Sequence, residues 1–113
     1  MASISFSNEP EKAWVKAGWA FRQVIEDVLA SCPADREMSE LLTLARDVGW
    51  LHTPGFDPAV RARTVASVRQ VVDGILSGTI ESGIHKKSWG DGRSVAQYLD
   101  SLRELKGLIP IDP

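Results

Sequence analysis

Cys32, His52 and His85 are the residues of this sequence that could act as nucleophiles or bind a transition metal. A cysteine paired with a histidine is a common catalytic nucleophile when the fold brings the two within hydrogen-bonding distance. These residues lie far apart in the chain, and a cysteine next to Pro33 is typical of a half-buried position at the end of a helix. Because a structural zinc ion needs several Cys or His ligands in one place, we expect neither a metal site nor a cysteine nucleophile.

The acidic residues do not form a pattern typical of general acid–base catalysis. Glu26 and Asp27 are neighbours, so their side chains point about 100° apart on a helix. We expect both to be solvated on a polar helix face. The Gly-x-Ser-x-Gly motif of serine hydrolases is absent from the sequence. The sequence therefore predicts a protein that has no catalytic residues, binds no cofactor and is not an enzyme.

A glycine-rich segment, Gly90–Ser94, precedes the last predicted helix, where backbone N–H groups attract anions. It lacks the glycine spacing and the Gly-Lys-Ser/Thr ending of nucleotide-binding loops, and Asp91 would repel a phosphate. A turn that leads into a capped helix explains this segment better.

The segment from His85 to Arg93 has the composition of a contact surface. It combines the positive charges of Lys86, Lys87 and Arg93 with the aromatic ring of Trp89. Tryptophan and arginine are enriched among residues that dominate binding energy, and binding residues favour loops on rigid scaffolds. We predict that His85, Lys86, Lys87, Trp89 and Arg93 bind a partner. The alternative is that Trp89 packs into the core and the lysines are merely solvated.

Length and composition are typical of one folded domain spanning residues 1–113. The chain is 43% hydrophobic and 25% charged, close to the average of globular proteins. Its formal net charge is −2, whereas domains that bind nucleic acid usually carry a positive excess. Residues 1–57 hold nine acidic and five basic residues (−4), and residues 58–113 hold six and eight (+2). This asymmetry can orient an encounter with a charged partner, and we expect that partner to be a protein rather than nucleic acid.

Nothing in the sequence predicts a membrane or secreted protein. No apolar run reaches the length of about 18 residues typical of a membrane span. The N-terminus, Met1–Asn8, has neither the basic start nor the apolar stretch of an ordinary secretory signal. The single cysteine excludes an intrachain disulfide and fits a reducing compartment. We expect a soluble cytoplasmic protein.

Two helices are predicted in the first half of the chain. Apolar residues at spacings of three and four predict one from about Glu9 to Ala30. A second helix is predicted to begin after Asp35, a suitable N-cap. It ends at Gly49, because the residue after a helix often adopts the left-handed backbone conformation that glycine favours. Its predicted apolar face consists of Met38, Leu41, Leu42, Ala45 and Val48. The loop that follows contains Trp50, Leu51 and Phe56, which we expect to fold back onto the core.

Two more helices are predicted in the second half. Asp57 as N-cap and Pro58 in the first turn begin one that ends at Gly78. The last runs from about Val95 to Lys106, with Ser94 and Gln97 at capping-box spacing and Gly107 as a left-handed cap. For Thr79–Gly92, a short hairpin and an irregular loop fit the composition equally well.

Four helices with short connections predict an all-α, single-domain bundle with a glycine-rich loop before its last helix. The four tryptophans fit a homodimer interface as well as a monomeric core.

The chain resembles two kinds of small protein, neither closely enough to assign it to a family. In size, acidity, predicted helices and lack of catalytic motifs it is similar to bacterial immunity proteins, which neutralise a toxin by covering its active site. The stretch Val72–Leu108 also resembles the helix–hairpin–helix of phage head–tail joining proteins. That likeness is carried by Ile75-Leu76-Ser77-Gly78, Asp91-Gly92-Arg93-Ser94-Val95 and Tyr98-Leu99.

These observations favour a protein that acts through contact with another protein, and the leading specific version is an immunity or antitoxin-type inhibitor of a toxin. A phage structural adaptor is the second version. A nucleic-acid-binding module and an enzyme that uses Cys32 or a histidine are more distant alternatives.

Overall fold

The computed structural model describes residues 2–86 and 92–110 as four α-helices packed against a small β-sheet. The strands are β1 (Ala2–Ser5), β2 (Trp14–Lys16) and β3 (Trp50–His52), and the helices are α1 (Gly18–Ser31), α2 (Arg36–Val48), α3 (Pro58–Ser77) and α4 (Gly92–Leu108). Short 3-10 turns occupy Pro10–Lys12, Thr53–Gly55 and Gly83–Lys86. The predicted number of helices is confirmed, but the predicted all-α class is wrong, because the sheet makes this an α+β fold.

The sheet is mixed, with β1 in the centre, β2 antiparallel on one side and β3 parallel on the other. Ile4 of β1 pairs with both Trp14 and Leu51, and all three side chains are buried beneath the helices. The neighbouring row joins Val15, Ser3 and Trp50. Side chains alternate between the two faces of a strand, so this second row lies on the face away from the core.

The strands explain the error in the predicted first helix, which begins at Gly18 instead of Glu9. Strand β2 has only three residues and lies directly before α1. The four-residue spacing from Trp14 to Gly18 also fits a helical repeat, so these residues were assigned to the helix. The N-terminus carried a clearer signal that the prediction did not use. Its apolar residues Ala2, Ile4 and Phe6 alternate with serines, which is the period of a half-buried strand, and all three are buried.

The termini of α2 and α3 confirm the predictions from capping residues. Asp35 accepts a hydrogen bond from the Met38 N–H, and Asp57 accepts one from the Ala59 N–H. Each helix ends at a glycine in the left-handed region, Gly49 with φ 88° and Gly78 with φ 84°. Only glycine adopts this conformation without steric cost, so both stops can be recognised from sequence.

Both predicted ends of the last helix are wrong. Helix α4 already begins at Gly92, which places Ser94 inside the helix rather than before it. It continues to Leu108, and Gly107 does not have a positive φ. Residues 79–86 contain a 3-10 turn and no strand, so the hairpin alternative fails over that part of the predicted loop. The rest of the loop, at 87–91, lies outside the described residues.

The core lies between the inner face of the sheet and the four helices. Its largest fully buried side chains come from every layer and include Trp14, Phe21, Ile25, Met38, Leu42, Leu51, Tyr98, Leu102 and Leu105. The Trp14 indole also donates a hydrogen bond of 2.9 Å to the Ser101 carbonyl, which ties β2 to α4. Among the described helices, none combines the length and apolar character needed to cross a membrane.

Candidate functional site

The predicted partner-binding residues are only partly within the described chain. His85 and Lys86 are exposed on the 3-10 turn Gly83–Lys86, and Arg93 is exposed in the first turn of α4. Lys87 and Trp89 lie outside the described residues. Binding by this segment therefore stays a prediction.

The segment before this loop is held by a buried carboxylate, Asp27, which we had expected to be solvated. Its Oδ1 accepts hydrogen bonds from Gln23 Nε2 at 3.0 Å and from the Gly83 N–H at 2.9 Å. Its Oδ2 accepts hydrogen bonds from the hydroxyls of Ser82 at 2.6 Å and Tyr98 at 2.7 Å. Each carboxylate oxygen thus has two donors, which offsets the cost of burying it.

This network joins three elements around Asp27. Asp27 belongs to α1, Ser82 and Gly83 precede or begin the 3-10 turn, and Tyr98 belongs to α4. Burial, and secondly the nearby Asp27 charge, raise the pKa of Tyr98, so its hydroxyl stays a donor. The network is structural, and it fixes the chain on both sides of the predicted contact loop.

The candidate nucleophiles and metal ligands occupy separate elements. Cys32 is a half-buried residue at the C-terminal end of α1, His52 lies in β3, and His85 lies on the 3-10 turn. Within residues 2–86 and 92–110, no three His, Cys, Asp or Glu side chains are grouped so that they could hold a metal ion.

The surface feature that sequence reasoning missed is an apolar groove between α2 and β3, with a cavity of about 160 Å³. Its lining consists of Leu41, Leu44, Ala45, Val48, Trp50, Leu51, His52 and Phe56. We call this set the α2–β3 groove. His52 is its single polar lining residue, and no charged side chain lines it.

The groove exists because α2 has two apolar faces. Met38, Leu42 and Ala45 are buried in the core. Leu41, Leu44 and Val48 recur at spacings of three and four residues, so they form a second stripe rotated by about 90° from the first. We had predicted one buried face that included Val48. The two stripes together cover too much of the circumference of α2 to be buried in a single helix–core contact. This width is the sequence signal that could have revealed the second apolar face.

The turn at Gly49 places β3 directly beside this second face. The residue after Gly49 begins the strand, and strand alternation then buries Leu51 while Trp50 and His52 face outward. The rings of Trp50 and His52 meet edge to face with centroids 6.4 Å apart. Of the residues expected to fold back onto the core, Leu51 does so, Phe56 is partly buried against it, and Trp50 is exposed.

Three large apolar side chains of the groove are more than half exposed. These are Leu44 at 58%, Val48 at 53% and Trp50 at 56%. Single exposed apolar residues are common, but a cluster supplied by adjacent elements is typical of an interaction surface. Val15, exposed at 46%, is the other large apolar residue on the surface of the described part of the chain, and it is not part of the groove lining.

The groove adjoins negative charge. Residues 35–57, which supply its whole lining, contain five acidic residues and two arginines. Arg63 of α3 pairs with two of these carboxylates, Asp35 and Glu37, so the net charge of this region is −2 with histidine counted as neutral. Of the acidic residues, Glu40 and Asp47 make only long ion-pair contacts, at 3.6 Å to Arg36 and 3.8 Å to Arg46. These carboxylates are therefore available to an approaching cation.

Comparison with known proteins gives no family to place this fold and groove in. The chain shows no significant match to any protein-family model, curated protein or solved structure.

Proposed function

We propose that this protein acts by binding another protein through the α2–β3 groove and has no catalytic function of its own. One observation carries this proposal: Leu44, Val48 and Trp50 are each more than half exposed around a single apolar cavity. Tryptophan in such a position is the residue type most often found at the energetic centre of an interface.

The exposed area is large enough to matter energetically. Burying an exposed Leu, Val or aromatic side chain stabilises a complex by about 1.5–3 kcal/mol. Because these three side chains are about half exposed, covering them would contribute about 3–4 kcal/mol together. A gain of this size corresponds to a change in affinity of more than about a hundredfold.

An immunity or antitoxin-type inhibitor of a toxin remains the specific version that we propose. It is supported by the net charge of −2 on residues 35–57 and Arg63, which suits a partner whose exposed site is basic, as sites for anionic substrates are. The same charge disfavours a nucleic-acid backbone as ligand. A cytoplasmic location belongs to this proposal and rests on the single cysteine of the sequence.

The phage-adaptor version has less support. It depended on a hairpin between the last two helices, and residues 79–86 form a 3-10 turn instead. The predicted contact loop is compatible with the inhibitor version as a second surface. The variants Lys86→Glu and Trp89→Ala test binding by this loop independently of the groove.

The experiment that tests the proposal is coexpression of the protein with the product of the neighbouring gene, followed by size-exclusion chromatography with light scattering. We expect a one-to-one complex. Leu44→Lys should abolish this complex, because an apolar partner would have to bury the charged lysine without offering it a counterion. Ala96→Lys is the control, since Ala96 is an exposed apolar residue on α4, a helix that supplies no residue of the groove lining.

Both variants replace exposed residues, so each should fold, and circular dichroism verifies that they do. A complex equally stable with Leu44→Lys would refute the groove as the binding surface. If the neighbouring product forms no complex with the native protein, the inhibitor version fails.

A further inference from the structure

We infer that the occupant of the α2–β3 groove is a basic amphipathic helix of another protein, which inserts one large apolar side chain into the cavity. This inference rests on the proposed function, because it names the chemistry of the partner for the same site. Three features of the groove support it, namely its size, its shape and the charge beside it.

The size of the cavity fits a single side chain. Its volume is about 160 Å³, and an apolar protein cavity of about 150 Å³ binds one benzene molecule. A phenyl or leucyl group therefore fills it. Since no charged side chain lines the cavity, a charged anchor would lose hydration without gaining an oppositely charged partner.

The shape of the groove fits a helix. One wall is the stripe Leu41, Leu44 and Val48, which spans two helical turns or about 10 Å. A partner helix with apolar residues at matching three- and four-residue spacings can contact this stripe along its length. Trp50 and Phe56 lie on the other side of the cavity and complete the contact with its anchor residue.

The charge beside the groove selects a basic partner. Residues 35–57 together with Arg63 carry a net charge of −2. Asp35 and Glu37 are paired with Arg63, whereas Glu40 and Asp47 on α2 are only loosely paired. Lysines on the flanks of a partner helix would meet these carboxylates. A second copy of this chain is disfavoured for the same reason. In a two-fold dimer the same patch faces itself, so two acidic surfaces, each with the loosely paired carboxylates of Glu40 and Asp47, would be brought together.

The test uses two synthetic helical peptides of about 18 residues, or five turns, that share one leucine stripe. One peptide carries lysines on both flanks of the stripe and the other carries glutamates at the same positions. Binding is measured by fluorescence anisotropy of the labelled peptides at low and high salt. We expect the lysine peptide to bind at least about tenfold more tightly than the glutamate peptide, with a preference that shrinks as salt increases.

Two protein variants locate the binding. Leu44→Lys should weaken binding of the lysine peptide by at least about tenfold, and Ala96→Lys, on the exposed surface of α4, should leave its affinity unchanged within about twofold. Replacing the central leucine of the peptide by alanine should weaken binding to the native protein, because the anchor is lost.

The inference is overturned if the glutamate peptide binds as tightly as the lysine peptide, if neither peptide binds, or if Leu44→Lys has no effect. It is also overturned if sedimentation shows a dimer that Leu44→Lys dissociates, because the occupant is then a second copy. These failures differ from failure of the proposed function. A coexpressed partner that is lost on Leu44→Lys would uphold protein binding while the chemistry of the bound segment was wrong.

Discussion

The Tyr98 hydroxyl donates a hydrogen bond of 2.7 Å to Oδ2 of Asp27, which joins α4 to α1 across 71 residues of sequence. Both side chains are buried, and Ser82 donates to the same oxygen at 2.6 Å. The stability of the 3-10 turn Gly83–Lys86 therefore depends on a carboxylate whose sequence neighbours give no sign of its role.

Tyr98→Phe removes one donor of this network and keeps the ring. A hydrogen bond to a charged group contributes about 1.5–3 kcal/mol, so we expect the free energy of unfolding to fall by about 2 kcal/mol. Urea denaturation measures it. Thr43→Ala is the control, because the Thr43 hydroxyl donates to the Ser39 carbonyl within α2, and its loss should cost less than about 1 kcal/mol. Equal losses for the two variants would contradict a special role for the network.

The raised pKa of Tyr98 predicts a specific alkaline sensitivity. The unfolded chain releases the tyrosine proton near pH 10, whereas burial and the Asp27 charge keep the proton on the folded protein. Protonated Tyr98 therefore contributes its full stabilisation of the folded state below this pH, and the contribution is lost as the pH rises above it. We expect urea midpoints measured from pH 9 to 11 to fall more steeply for the native protein than for Tyr98→Phe. Parallel curves would be inconsistent with a shifted tyrosine.

Asp27→Asn removes the charge of the acceptor, and an NH₂ group in place of Oδ2 would face the Ser82 and Tyr98 hydroxyls, which can turn to accept. The charge-assisted hydrogen bonds become neutral ones, each weaker by about 1 kcal/mol, so we expect a loss of about 2 kcal/mol. Asp47→Asn, a change on the exposed surface of α2, should alter stability by less than about 0.5 kcal/mol. Thermal unfolding by circular dichroism compares the two. A native-like melting temperature for Asp27→Asn would mean that the carboxylate is not needed.

Asp35 predicts a loss of stability in acid. A hydrogen bond from Arg63 Nε at 2.9 Å, followed by one from the Met38 N–H, lowers the pKa of this carboxyl. The stabilisation is complete above the unfolded-state pKa of about 3.9 and is lost as the pH falls through the lower folded-state value. Asn also caps helices but carries no charge. We therefore expect Asp35→Asn to lose less stability than the native protein between pH 5 and pH 2.

Unfolding midpoints of both proteins, followed by circular dichroism at each pH, provide the measurement. An identical acid dependence would show that the ion pair with Arg63 does not contribute.

Gly74 is required because Ile80 packs directly on it. A methyl group at this position would lie 2.6 Å from Ile80 Cγ1 and 3.1 Å from its Cβ. Overpacking of this kind costs about 1–3 kcal/mol, which we expect for Gly74→Ala. Gly107 is a helical glycine with open space around it, so Gly107→Ala should stabilise by about 0.5–1 kcal/mol. If the two changes had the same sign in urea denaturation, the packing argument would be wrong.

Capping residues and left-handed glycines correctly predicted the ends of α2 and α3. Asp35 and Gly49 bound α2, and Asp57 and Gly78 bound α3, because caps and left-handed glycines act within a few residues. The alternation of Ala2, Ile4 and Phe6 with serines could have revealed β1. Strands β2 and β3 have only three residues each, too few for such a pattern, and their pairing with β1 is a tertiary property that no local spacing encodes.

The candidate site was missed for a related reason. A sequence shows that Leu41, Leu44 and Val48 are apolar, but which of two apolar faces meets the core depends on where the other elements lie. Trp50 was expected to fold back onto the core together with Leu51 and Phe56, whereas strand alternation in β3 turns it outward and Leu51 inward. Asp27 shows the converse, because a charged residue on a helix was taken as solvated and its donors come from distant segments.

The most direct test of the groove as a protein-binding surface is nuclear magnetic resonance of the labelled protein in the presence of the partner that copurifies with it. The indole N–H signal of Trp50, assigned by its disappearance in Trp50→Phe, should shift or broaden on addition of the partner, and the backbone amide of Ala96 in α4 should stay in place. An unchanged Trp50 signal in a saturated complex would contradict the account.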